Sequence, residues 1–108
     1  MKILNTEEFA KLPEGVLFSE WKPNFLGDLQ IKGEAYVSRG WFSFTSAPVN
    51  SIDISLEEDL ESGDSIPVDL EHYTKDVLPT EQLFAVWESD DLRKLISKLE
   101  TAIEVTVF

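Results

Sequence analysis

The residues with the most evident chemistry are acids. Ser55 to Asp76 reads SLEEDLESGDSIPVDLEHYTKD, with Glu57, Glu58, Asp59, Glu61, Asp64, Asp69, Glu71 and Asp76 against the single base Lys75. Carboxylates at such spacing could hold a cation, share a proton for acid–base catalysis, or present a field to a basic partner. A zinc or transition-metal site is short of ligands, because the chain has one histidine and no cysteine. Calcium asks for oxygen ligands around a sharp glycine turn; Asp59 to Asp64 sets Gly63 one place early and lacks the closing acid. Paired-carboxylate catalysis needs two acids in a cleft with separated pKa values, and many acids make any one pair uninformative. His72, between Glu71 and Tyr73, reads as a solvated loop residue rather than a base. The chain contains no Gly-x-Ser-x-Gly, no phosphate-cradling glycine loop and no HExxH. The sequence thus points away from an enzyme, a metal and a cofactor.

The field remains. The 108 residues hold 21 acids and 9 bases, a net charge of −12, and nine of the acids fall within 51–76. Such a chain is repelled by nucleic acid and by anionic lipid and drawn to basic surfaces. Closely spaced carboxylates approach the charge density of duplex DNA, about one charge per 1.7 Å of axis. A surface that handles DNA or RNA would be attracted to them. The competing reading is a solvated acidic face that serves only solubility. Direct nucleic-acid binding has little support: Lys22, Lys32 and Arg39 lie near Trp21, Tyr36 and Trp41, but Glu20, Asp28 and Glu34 interrupt them.

These groups must be positioned by one domain, since the length and the 43% apolar content suit one packed core. Absence of cysteine fits a reducing compartment. The start MKILNTEEFAKLPEG does not read as a signal peptide, and no run of about eighteen apolar residues predicts a membrane span.

Thr6 with Glu7 and Glu8 predicts a helix start, with Phe9 and Leu12 inward and Pro13 as the stop. Strands are expected at Val16–Trp21, at Leu29–Lys32 closed by Gly33, at Trp41–Thr45 and at Leu83–Trp87, the last central. Ala35–Val37 extends the second of these or forms its own strand. Ser55 and Glu58 form a capping box for a short helix that Gly63 ends, with Leu56 and Leu60 on one face. Ile66–Leu70 alternates as an edge strand, and His72–Leu78 reads as loop. Leu92, Leu95, Ile96 and Leu99 mark an amphipathic helix opened by Ser89, Asp90 and Asp91. Ile103, Val105 and Val107 alternate as a final strand. The expected fold is α+β: one domain, a mostly antiparallel sheet of about five strands, covered by short helices and the C-terminal amphipathic helix. Alternation sets Phe42 and Phe44 on one strand face and Trp41 on the other. Burial of both faces is the expectation, and an exposed Trp41 would instead be an interface anchor.

Three stretches resemble a family. Thr6-Glu7-Glu8-Phe9 with Leu12-Pro13-Glu14-Gly15, then Gly27-Asp28-Leu29-Gln30-Ile31-Lys32-Gly33, then Gln82 to Glu88 with Asp91-Leu92 and Leu95-Ile96 are similar to small, acidic, uncharacterised proteins encoded in tailed-phage genomes. They cover less than half the chain and are caps, turns and core strands, and residues 34–50 depart from the pattern. The resemblance carries no catalytic signature. It implies a cytoplasmic protein of an infected or lysogenic bacterium that blocks host machinery, such as a CRISPR effector, by mimicking DNA. The expected partner is a basic, nucleic-acid-handling protein, met by the acids listed above from Glu57 to Asp76. An immunity-type protein that neutralises a basic toxin has the same charge logic. A structural or assembly protein, self-associating through a sheet edge, is the third reading.

Overall fold

In the computed structural model, which describes residues 1–50, 59–79 and 81–108, the chain begins with a strand that the sequence pattern passes over. Strand β1 (Lys2–Asn5) has no clean alternation, because Leu4 packs inward while Ile3 stays exposed on the other side. Its definition comes from a distant partner: Lys2 pairs with Val86 and Asn5 with Leu83. Helix α1 (Thr6–Ala10) follows without a loop. Its cap is Asn5, not Thr6. The Asn5 Oδ1 accepts from the Glu8 N–H at 2.9 Å, and the Asn5 N–H donates to Glu8 Oε1 at 3.2 Å. Thr6 is buried and its hydroxyl donates to the Gln82 carbonyl at 3.2 Å. Both residues belong to the capping class, and tertiary burial decides between them.

The remaining elements are β2 (Leu17–Lys22), β3 (Phe25–Leu26), β4 (Gln30–Ser38), β5 (Trp41–Pro48), β6 (Thr74–Pro79), β7 (Leu83–Val86) and α2 (Ser89–Val105). The fold is α+β, with an antiparallel sheet of order β1-β7-β2-β4-β5-β6 and β3 paired to β2. β7 is interior, between β1 and β2. Among the described residues the sheet has seven strands, not five. The β2–β3 hairpin turns on Pro23-Asn24, with Asn24 at φ 65°, a value Asn tolerates.

The sheet curls around Phe9. Phe42 on β5 and Phe84 on β7 are three strand steps apart, about 14 Å in a flat sheet at ~4.8 Å per step. Their ring centroids lie 5.7 Å apart. Phe9 from α1 fills the concavity, stacked on Phe84 at 4.1 Å and 9° and tilted against Phe18 at 4.7 Å. Edge contacts to Phe42 and Phe44, both at 6.0 Å, complete the cluster. Each such aromatic pair adds roughly 0.5–1.5 kcal/mol beyond the area it buries.

A bulge shapes the rim of this core. Lys32 pairs with Ser46 but Ala35 with Phe44, so β4 carries one extra residue at Gly33–Glu34. Gly33 therefore does not close the strand, which continues through Ala35–Val37. The extra residue lets Lys32 and Ala35 both face inward. Lys32 is 2% exposed; its Nζ donates to the carbonyls of Leu12 at 2.9 Å and Gly33 at 3.3 Å and sits 5.6 Å from the Phe9 ring centre. The alternation of Leu29 to Lys32 predicts a lysine on the polar side; the bulge and the free carbonyl at the end of α1 draw it in.

Three further expectations change. Ile66–Leu70 makes one isolated bridge at Val68, with Val68 and Leu70 exposed, while the expected loop at 72–78 contains β6. β5 decides this, because its open edge takes Thr74–Pro79 as partner and Leu78 reaches the core beside Phe42. Ile103–Val107 adds no strand: α2 runs to Val105, since Ile103 continues its stripe four residues after Leu99. That helix is present as expected but does not cover the sheet. No residue in it is buried, and the radius of gyration, 16.3 Å, exceeds the about 13 Å of a compact chain this long. The capping box at Ser55 and Glu58, with Leu56, lies outside the described residues. Asp59 to Glu61 is not helical, and Gly63, at φ 97°, sits in a turn. Among the described residues no helix is long and apolar enough to cross a membrane.

Replacing Phe9 by alanine is expected to lower the unfolding free energy by about 3–5 kcal/mol in urea titrations. Phe25→Ala, on exposed β3, should change it by less than about 0.5 kcal/mol.

Candidate functional site

The acidic segment runs over the surface from Asp59 into β6. Asp59, Glu61, Asp64 and Glu71 are exposed and Asp69 is half-buried. No base interrupts the run before Lys75. Two of its acids shape the backbone. Asp64 Oδ2 accepts from the Glu61 N–H at 2.9 Å, closing the Gly63 turn, and Asp69 Oδ1 accepts from the Glu71 N–H at 2.8 Å. Each of these carboxylates keeps a second oxygen for other partners. Glu57 and Glu58, expected in the same face, lie outside the described residues. Asp76 does not join the exposed run. It stands opposite Phe44 on the inner side of the β5–β6 pair and is half-buried.

The segment ends against an aromatic sheet face. Tyr73 lies over Gly33: a Cβ added there would meet the Tyr73 ring, the Thr45 carbonyl and, closest, Thr45 Oγ1. The same hydroxyl accepts the Glu34 N–H at 2.9 Å and so fixes the bulge. Gly33 is thus required by close approach, not by its φ. Along β4, β5 and β6 the outward residues are Tyr36, Trp41, Ser43, Thr45, Lys75 and Val77, set side by side by the register Tyr36↔Ser43↔Val77. Trp41 is 55% exposed while Phe42 is fully buried, so the expectation of burial on both faces is corrected. Among the described residues only helix α1 covers the sheet, and it lies on the inner face. The Tyr36 hydroxyl donates to Glu34 Oε2 at 3.0 Å, which holds its ring on the open side.

Strand alternation separates Trp41 from Phe42 and Phe44, but the expectation drawn from the sequence is burial of both faces. The same reading misses Tyr36, Tyr73 and Val77. Tyr73 and Val77 fall in a stretch read as loop, and Tyr36 has the outward parity that alternation wrongly gives Lys32, the bulge between them turning only the lysine inward.

Besides the Tyr36 hydroxyl, whose pKa its bond to Glu34 raises, titration singles out three places. Burial raises the Glu20 pKa, the charge of Asp76 raises it further, and Lys22 opposes both. Glu20 and Asp76 sit on β2 and β6, strands far apart in sheet order that the curl draws together. Burial lowers the Lys32 pKa, and Glu14 partly restores it. At the start of α2, the Met1 ammonium is 2.6 Å from Asp91, whose carboxyl is held below its usual range by that bond and by the Glu88 N–H at 2.9 Å. Among the described residues no three histidines or acids come together as metal ligands.

The geometry sets a base-free acidic run, exposed at Asp59, Glu61, Asp64 and Glu71, beside an exposed aromatic face. No family model, no curated protein and no solved structure matches the chain.

The Glu20–Asp76 approach has a pH signature. A carboxyl whose folded pKa is raised favours the fold below its unfolded value and loses that contribution as pH rises through the folded value. Glu20→Gln is therefore expected to raise stability at pH 7, with the gain shrinking to nothing below about pH 4. Urea unfolding of both proteins across that range checks it.

Proposed function

We propose that the chain is a non-enzymatic inhibitor of the phage type. It docks its acidic segment on the basic surface of a nucleic-acid-handling host protein, in the cytoplasm of an infected or lysogenic bacterium. The observation that carries this reading is the base-free acidic segment from Asp59 to Glu71, exposed at Asp59, Glu61, Asp64 and Glu71 and anchored at its end by Tyr73 on the face that displays Trp41. Carboxylates supply long-range attraction and a charge pattern that competes with phosphate. An exposed tryptophan supplies the short-range anchor that charge alone lacks. Glu61 and Glu71 are the best carriers of the field, since their carboxylates are not tied into the turns that Asp64 and Asp69 close.

The test is capture of partners from bacterial lysate on the immobilised protein, with elution by rising salt or by added duplex DNA. The expected result is a nucleic-acid-binding protein released by both. Glu61→Lys with Glu71→Lys should weaken its retention at least tenfold, and Trp41→Ala should weaken it without changing its salt dependence. Circular dichroism should be unaltered in each variant. Retention that ignores salt, DNA and the double reversal would exclude the mimic. Capture of a basic toxin, not displaced by DNA, would make the chain an immunity protein.

A further inference from the structure

Strands β1 and β7 stop together, and the register that pairs Lys2 with Val86 brings Met1 level with Trp87. Helix α2 leaves from the same end of the sheet. Between them lies a cleft of about 300 Å³, lined by Met1, Trp87, Asp91, Lys94, Leu95 and Lys98. That volume stands at the lower bound of small-molecule sites. The four helix residues are spaced i, i+3, i+4 and i+7 and fall within an arc of about 100°, so one side of α2 forms a wall. Met1 and the half-buried Trp87 and Leu95 make the lining apolar, and the lysine stems add to it. The Trp87 Nε1 is buried and has no acceptor among the described residues. Folded proteins rarely leave such a donor unpaired.

We infer that this cleft binds a small carboxylate with an apolar body. Charge selects the class. The lining carries three cations, the Met1 ammonium, Lys94 and Lys98, against the one carboxylate of Asp91. That carboxylate is already engaged: its Oδ2 lies 2.6 Å from the Met1 ammonium and accepts the Glu88 N–H at 2.9 Å. Among the described residues Lys94 and Lys98 form no ion pair, whereas the neighbouring Arg93 is taken by Asp90 at 2.8 Å. In a chain of net charge −12, an excess of positive charge beside an apolar wall is a local exception. It repels an amine and leaves a neutral ligand without a charged partner. A carboxylate with an apolar body meets both features. Its body lies against Trp87 and Leu95, and its head group takes charge-assisted bonds from the lysines. An oxygen seated against the indole edge would satisfy that donor too. The site is independent of the acidic segment and of the docking proposed for it.

Titration of the nitrogen-15-labelled chain with octanoate, followed by NMR, tests this. Trp21, Trp41 and Trp87 give separate indole N–H signals. The expected result is a saturable shift of the Trp87 signal, with those of Trp21 and Trp41 unmoved. Octanol should bind at least tenfold more weakly, and octylamine should leave the Trp87 signal in place. Lys94→Gln with Lys98→Gln should weaken octanoate at least tenfold. Lys94→Glu with Lys98→Glu should turn the preference to octylamine. Both lysines are exposed, so helix content by circular dichroism should hold in each variant. The lack of a saturable shift at Trp87 overturns the inference. Equal responses to octanoate and octylamine, or octanoate affinity that survives the loss of both lysines, overturn the carboxylate class.

Discussion

The insertion of one phenylalanine governs this structure. Phe9 stands on a helix of five residues, too short to be stable alone, and it is held only because its ring is surrounded. The sheet depends on it in return. A sheet curled this far has a concave face that its own side chains do not fill, and an empty space there would cost about as much as a large-to-small core substitution. The capping box at Asn5 and Glu8, the Thr6 bond to Gln82 and the Lys32 bonds at the far end of α1 all serve to aim that ring. Lys32 is the costly member. Its charge is held among carbonyls and an aromatic face, without a carboxylate in its bonding set, which is why burial lowers its pKa.

With the inner face committed to phenylalanine, what the described residues expose is the outer face, the acidic segment and the helix. Trp41 and Phe42 show the division on neighbouring residues, one exposed and one sealed. The bulge at Gly33 ties the two sides together. It brings Lys32 inward, leaves Tyr36 outward and seats Tyr73, so a change there would reach the core and the exposed aromatic face at once.

Much of this was legible from local pattern. β2, β5, β7 and α2 announce themselves by β-branched and aromatic runs or by a helical stripe, and the acidic run is plain in the letters. What escaped has one cause. β1, β6 and the bulge are set by partners rather than by their own residues: Lys2 finds Val86, Thr74 finds Ser46, and Gly33 yields to Thr45. Asp76 reads as one more acid in a row, and only the pairing with Phe44 turns it inward. The burial of Lys32 was likewise hidden, because a lysine after Ile31 fits the polar half of an alternating strand. Ile103 to Val107 shows the limit of alternation itself, since the same letters continue a helical stripe.

The strand order also has a meaning for how the molecule comes into being. β7, the last strand among the described residues, lies between β1 and β2, the first two. During synthesis from the N-terminus, β1 and that edge of β2 have no native neighbour until residue 86 is available. The hairpins β2–β3 and β4–β5 can form early from local contacts, but the sheet becomes continuous only at the end. Commitment to the fold is therefore a late, whole-chain event, and the strand that completes the sheet is the one on which Phe9 stacks.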